Sequence, residues 1–167
     1  KFNTIADENG DILIFPQGDK TVHPSAKMPK SSFFFDALNR QGVIDDSKLN
    51  PEENTEEFKL IRAEDISRWK YVVEAMKNNE KALIGNIGGT AFGDVALIPA
   101  VNLKYPKGIR DVQEWYISTL TRQDYIHEMF DIQSEIAIKN LNTIAPEIDD
   151  VVDVMFICGT DFGTQVS

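Results

Sequence analysis

The chain has 167 residues with 17 basic and 27 acidic side chains, and its formal net charge of −10 excludes the basic patch expected of a nucleic-acid-binding domain. Its single cysteine excludes an intramolecular disulfide framework, and no apolar run approaches the roughly 18 residues that a membrane span needs. With 42% apolar residues and no leader-like start, we expect a packed protein of the cytoplasm that binds neither nucleic acid nor membrane.

The first 24 residues are predicted to form a small antiparallel meander. Asn9 and Gly10 lie between two strand-like runs, which predicts a hairpin with a type I′ turn. A second turn at Pro16–Asp19 leads to a third predicted strand, Lys20–His23. Residues 25–63 are predicted to be irregular, with an acidic surface loop over Gln41–Glu57.

Apolar residues at helical spacing predict two helices in the middle of the chain. The first covers Glu64–Asn78. The second begins after Asp111, a good N-cap residue, and Glu114 follows three residues later as in a capping box. We expect Trp115 and Leu120 to form its buried side.

A third and longest helix is predicted from Thr121 to the region of Pro146, which should end it together with the acidic residues that follow. Its apolar stripe runs for nearly six turns and consists of Ile126, Met129, Phe130, Ile136, Ala137, Leu141 and Ile144.

Two apolar runs, Lys81–Gly89 and Val151–Ile157, each follow a predicted helix and are typical of parallel strands covered on both faces. Mostly helical chain separates them, which favours parallel pairing and an α/β fold. A Rossmann sheet and a (β/α)8 TIM barrel both fit this pattern. A barrel needs about 250 residues, so on that interpretation the chain is an excised part of one.

Sites in α/β folds collect at the carboxyl ends of strands. The first such loop, Gly85–Asp94, contains Asn86 and several glycines, which either allow a tight turn or let the backbone contact a ligand. The second loop follows the last strand and contributes Thr160, Asp161 and Gln165. No familiar catalytic or metal-binding motif occurs, and we expect no metal ligand in this chain. The density of polar side chains directly after a buried strand predicts Asp161 as the catalytic residue, with Asn86, Gln165 and Thr160 binding substrate. A helix cap is the alternative role for Asp161.

Three stretches resemble the uroporphyrinogen decarboxylase superfamily, which includes cobalamin-dependent methyltransferases. They are ALIGNIGGTAFGD, RDVQEWYISTLTRQDYIHEMFDIQSEIAIKNL and VVDVMFICGTDFGTQ, all within Lys81–Ser167. NTIADENGDILIFPQG is similar to a hairpin insertion of several members. The resemblance implies that residues 1–167 are part of one barrel domain, with the insertion over 1–24, an irregular region over 25–63 and βα units over 64–167.

The last loop distinguishes two branches of that superfamily. Porphyrinogen decarboxylases carry Phe-Asp-Ser-Trp at the end of the corresponding strand, whereas this chain displaces the aspartate to Asp161 and lacks the tryptophan. Thr160–Gln165 resembles the Asp-Leu-Gly-Thr-Gln loop of methyltransferase-like members. This implies methyl transfer among a small substrate, a corrinoid protein and a thiol, with zinc ligands outside residues 1–167.

Two alternatives stay open at this point. One is cofactor-free decarboxylation of uroporphyrinogen, and the other is a non-catalytic binding or assembly segment. On every barrel interpretation we expect the segment alone to be inactive. A partial barrel would also leave strand edges and the helix face through Met129, Phe130 and Leu141 uncovered, which predicts that the segment either pairs with a second copy or rearranges.

Overall fold

The computed structural model describes residues 4–86 and 94–157, which contain six strands and three α-helices. The strands are β1 (Thr4–Ala6), β2 (Ile12–Ile14), β3 (Ala26–Met28), β4 (Asp36–Ala37), β5 (Ile84–Asn86) and β6 (Val154–Phe156). The helices are α1 (Ala63–Met76), α2 (Val112–Thr121) and α3 (Gln123–Ile148), and short 3-10 turns lie at Pro16–Gly18, Asp46–Lys48 and Pro51–Thr55.

The fold is mixed α/β, and neither of the two small sheets in the described residues closes into a barrel. The described chain divides into two compact units. Unit 1 holds residues 4–54 and 95–126, and unit 2 holds residues 55–86, 94 and 127–157.

Unit 1 contains the predicted antiparallel meander, with strand order β1-β2-β3-β4. The predicted hairpin at Asn9-Gly10 is confirmed, but the prediction of a type I′ turn is wrong. Of Asn9 and Gly10, only Gly10 has a positive φ, of 82°, whereas a type I′ turn needs a positive φ at both central residues. Asp7 shapes the loop instead, because its Oδ1 accepts hydrogen bonds from the backbone N–H groups of Asn9 and Asp11, at 2.9 and 3.0 Å.

The third strand lies later than predicted. Lys20–His23 is a turn, because Asp19 Oδ1 accepts hydrogen bonds from the N–H and Oγ1 of Thr21, at 3.0 and 2.6 Å. The chain therefore becomes extended only at β3, and β3 and β4 both lie within the stretch predicted to be irregular.

The acidic loop over Gln41–Glu57 is only partly a surface loop. Most of its carboxylates are exposed, but Asn54 is 4% exposed and Thr55 is also buried. Asn54 Nδ2 donates to the Ile109 carbonyl and its Oδ1 accepts from the Ile109 N–H, both at 2.7 Å. The prediction failed here because the partner of Asn54 is 55 residues away.

Helix α2 begins after Asp111 as predicted, and the Asp111 side chain accepts the Gln113 N–H. Glu114 does not complete a capping box, since it pairs with Arg122 at 2.7 Å. Trp115 is buried as expected, but Leu120 is 70% exposed. Five residues at 100° each turn Leu120 about 140° away from Trp115, so the two cannot share a face.

Tyr125 completes the hydrogen-bond cluster around Asn54, with its hydroxyl 2.6 Å from Asn54 Oδ1. Burial raises the pKa of Tyr125 to about 12, and the charge of Glu53 adds to the effect. The unfolded chain therefore loses this proton first, near pH 10. The contribution of Tyr125 to the free energy of unfolding is therefore fully present below pH 10. It decreases as the pH rises from 10 to 12, and above pH 12 it no longer changes with pH.

We expect this loss to be about 1 to 2 kcal/mol, after a discount for the solvent contact of a half-buried side chain. Urea unfolding between pH 9 and 12 measures it, and Tyr125→Phe should remove it. The exposed Tyr105→Phe is the matched control and should retain it. An identical pH dependence in Tyr125→Phe and the unaltered chain would contradict the assignment.

Unit 2 packs α1 and the end of α3 around the buried residues Val73, Ile144 and Ile148. Partly buried side chains pack against this cluster, namely Ile61, Trp69, Leu141, Val151, Val152 and Met155. The predicted α1 and α3 are confirmed, although α3 ends two residues beyond Pro146, at Ile148. Met129 is buried, so the expectation of an uncovered helix face is wrong at that position.

Candidate functional site

The predicted parallel pairing of the two strands in unit 2 is confirmed by β5 and β6. The register joins Ile84 to Val154, Gly85 to Met155 and Asn86 to Phe156. Both strands therefore end at the same edge of the sheet, and in the sequence each is followed by one of the two predicted site loops, of which residues 87–93 and 158–165 lie outside the described ones. This edge is the position where side chains from separate strands can act on one ligand.

Among the residues that the structure describes, side chains cover only one face of this sheet, which differs from the prediction of strands buried on both faces. Met155 packs against the helical core of unit 2, whereas Ile84 is 69% exposed and Val154 and Phe156 are also exposed. Asn86 is exposed, and strand alternation gives it the same open face as Ile84. Its amide therefore lies at the carboxyl edge on the solvent side.

Gly85 has a packing role that sequence reasoning missed. A Cβ atom there would lie 3.0 Å from Val152 Cγ1 and 3.3 Å from Met155 Cε. These distances are tighter than ordinary van der Waals contact, so a Cβ atom at this position would require the Val152 and Met155 side chains to shift by a few tenths of an ångström. Gly85 lies within β5, so the tight turn predicted for the glycines of this loop does not apply to it. A backbone contact with a ligand stays a prediction.

The opposite edge of the sheet carries a second polar cluster. Asp153 Oδ2 accepts the Leu83 N–H at 2.8 Å, and the Asp153 N–H donates to the Leu83 carbonyl at 3.0 Å. A cavity of about 580 Å³ lies nearby, lined in part by Lys77, Lys81 and Asp150. Because these residues precede the strands, this cavity is at the amino edge and away from Asn86.

The remaining predicted site residues, Thr160, Asp161 and Gln165, lie outside the described residues. Asn86 is thus the one member of the predicted site whose position the structure gives. Whether the four side chains come together stays a prediction, supported by the common edge of β5 and β6.

Unit 1 has a larger cavity that sequence reasoning did not identify. Its volume is about 800 Å³, and its lining includes His23, Arg40, Gln41, Lys104 and Tyr105. These residues come from three segments of the chain, Thr21–Pro24, Leu38–Gln41 and Lys104–Pro106, and no local spacing links them. The one signal available in the sequence is that these segments contain polar and basic side chains, and this signal does not predict that the segments meet.

Comparisons with family models, curated proteins and solved structures found no match to this chain. Over residues 4–86 and 94–157, no three His, Cys, Asp or Glu side chains form a group that could hold a metal ion. Across the same residues, no helix combines the length and apolar character needed to cross a membrane.

Proposed function

We propose that this chain is a piece of a (β/α)8-barrel enzyme of the uroporphyrinogen decarboxylase superfamily, from its methyltransferase-like branch. The observation that supports this most is the parallel β5–β6 pair with one covered and one open face. In a TIM barrel, helices cover the outer face of each strand, and the inner face contacts side chains of the other strands. The exposed Ile84, Val154 and Phe156 fit such an inner face.

On this proposal, Asn86 belongs to the mouth of the barrel, where the active sites of this fold lie. Its amide can donate to and accept from a polar substrate group. Asp161 orients the substrate and controls protonation of the heteroatom that gives or takes the methyl group, and Thr160 and Gln165 complete the polar contacts.

The superfamily resemblance also implies zinc and a corrinoid protein. The described residues do not fit a zinc site, because no three of their His, Cys, Asp and Glu side chains lie close enough together to hold a metal ion. We therefore assign no step in this chain to zinc. The corrinoid protein would act as the methyl donor or acceptor. The other reactant in this proposal is a small-molecule substrate or a thiol.

The test uses the full-length protein with methylcobalamin and 2-mercaptoethanol. Transfer of a methyl group from cobalt to sulfur would change the visible spectrum of the corrinoid and form a thioether, detected by mass spectrometry. Conversion of uroporphyrinogen to coproporphyrinogen, in the absence of any thioether, would contradict the methyltransferase proposal.

Asp161→Asn should lower the rate of this methyl transfer about 100-fold, as expected for loss of a group that controls proton position. Asp131→Asn on the exposed surface of α3 removes the same charge and should leave the rate unchanged. Equal rates for the Asp161→Asn and Asp131→Asn proteins would remove Asp161 from the site.

A further inference from the structure

The 800 Å³ cavity of unit 1 has the size of a small-molecule binding site and a wall of mixed chemistry. Its apolar wall consists of Val22, Pro24, Leu38, Tyr105 and Pro106. Its polar wall includes Asn39, Arg40 and Lys104, and none of the described residues that line it is acidic. This cationic lining contrasts with the net charge of −10 of the whole chain.

Arg40 gives the cavity a positive charge that no carboxylate balances. Its Nη1 donates to the Leu103 carbonyl at 2.6 Å, and its Nη2 donates to the Pro99 and Ala100 carbonyls at 3.1 and 2.7 Å. Its buried Nε has no hydrogen-bond partner. Burial, together with the nearby Arg110, lowers the pKa of Arg40, which is the signature of a cation without a counter-ion.

Lys104 supplies the donor that a ligand can reach. Its Nζ lies 2.6 Å from Asp19 Oδ2, and its side chain is about one-third exposed. An ammonium group has three N–H donors, so this pair leaves two for a ligand. The Lys104 and Thr21 side chains hold the pKa of Asp19 well below its usual range, so Asp19 stays ionised and cancels one of the two cationic charges.

From these contacts we propose that the cavity binds a monocarboxylic acid with an apolar body. The two cations that line the cavity and the Asp19 carboxylate paired with one of them sum to a single positive charge, which matches a monoanion better than a phosphate dianion. Arg110, whose charge also acts on Arg40, does not line the cavity. The ligand carboxylate would contact Lys104 in the field of Arg40, and the apolar body would lie against Leu38, Tyr105 and Pro106. This site contains none of the residues assigned to methyl transfer.

Isothermal titration of the chain with 2-naphthoate tests the proposal, and 2-naphthamide is the neutral probe of the same shape. We expect the carboxylate to bind at least tenfold more tightly than the amide, with an affinity that falls as salt is added. Equal affinities for the two probes, or no binding of 2-naphthoate, would overturn the proposal. Tighter binding of inorganic phosphate than of 2-naphthoate would also overturn it.

Two substitutions with opposite expected signs separate an electrostatic role from a structural one. Lys104→Gln should weaken 2-naphthoate binding about tenfold, because it removes the contacting cation. Asp19→Asn should strengthen it about threefold, because it frees the Lys104 ammonium and keeps an oxygen for Thr21. A loss of affinity in both variants would show a merely structural effect and contradict the proposal.

The matched control is Asp11→Asn. Asp11 belongs to the same unit and pairs with Lys27 at 2.5 Å, but it does not line the cavity. The Asp11→Asn substitution changes the net charge of the protein as much as Asp19→Asn does. Tightening of 2-naphthoate binding by Asp11→Asn to the same extent would show a general charge effect and refute the site.

Discussion

Replacement of Asn54 by alanine is expected to lower the free energy of unfolding of unit 1 by about 3 kcal/mol. The change removes both hydrogen bonds between the Asn54 side chain and the Ile109 backbone. The buried N–H and carbonyl of Ile109 then lack these partners. Each such buried polar group costs about 1 to 3 kcal/mol. The Tyr125 hydroxyl loses its 2.6 Å acceptor at the same time.

The chain offers a local probe for this measurement, since it has two tryptophans and Trp115 belongs to unit 1. Urea unfolding would be followed by Trp115 fluorescence in a Trp69→Phe background. Asn50→Ala is the matched control, because Asn50 is exposed and caps a short turn through Glu52. A difference of less than 1 kcal/mol between Asn54→Ala and Asn50→Ala would contradict the proposed role of Asn54.

The second large effect is expected in unit 2, where Ile144→Ala should cost about 3 to 4 kcal/mol. Ile144 is 0% exposed and packs in the cluster with Val73 and Ile148. Removal of a buried isoleucine side chain costs transfer free energy and leaves a cavity, typically 2 to 5 kcal/mol together.

Trp69 packs against the same cluster, so its fluorescence in a Trp115→Phe background reports on this unit. Ile138→Ala makes the same chemical change on the same helix, at a side chain that is 57% exposed. Its effect should stay within about 0.5 kcal/mol. Similar losses in the two variants would mean that the core of unit 2 is not centred on Ile144.

The features that the sequence predicts correctly depend on neighbours along the chain. Helical spacing gives α1 and α3, and Asp111 gives the start of α2, because caps and helix faces involve residues within about four positions. The parallel pairing of β5 with β6 follows from their order with the helices.

The features that were missed depend on partners far along the chain. Asn54 bonds to Ile109, and Asn140 accepts the Ile61 N–H across 79 residues. Arg40 likewise reaches the carbonyls of residues 99, 100 and 103. Sequence patterns give the chemistry of such side chains but not the backbone groups that fold onto them. For the same reason, Asn86 could be assigned to a strand edge, whereas the unit 1 cavity could not be predicted.

The interleaved order of the two units has a consequence for synthesis. Residues 4–54 leave the ribosome before residues 95–126 of the same unit are synthesised. In unit 2, another 70 residues must be synthesised after Leu83 before its hydrogen bonds with Asp153 can form. At translation rates of about 5 to 20 residues per second, that wait is roughly 4 to 14 seconds. Apolar side chains such as Val73 stay without their later partners during this time. Each unit is made of separate stretches of chain, so no single continuous segment contains one unit without residues of the other.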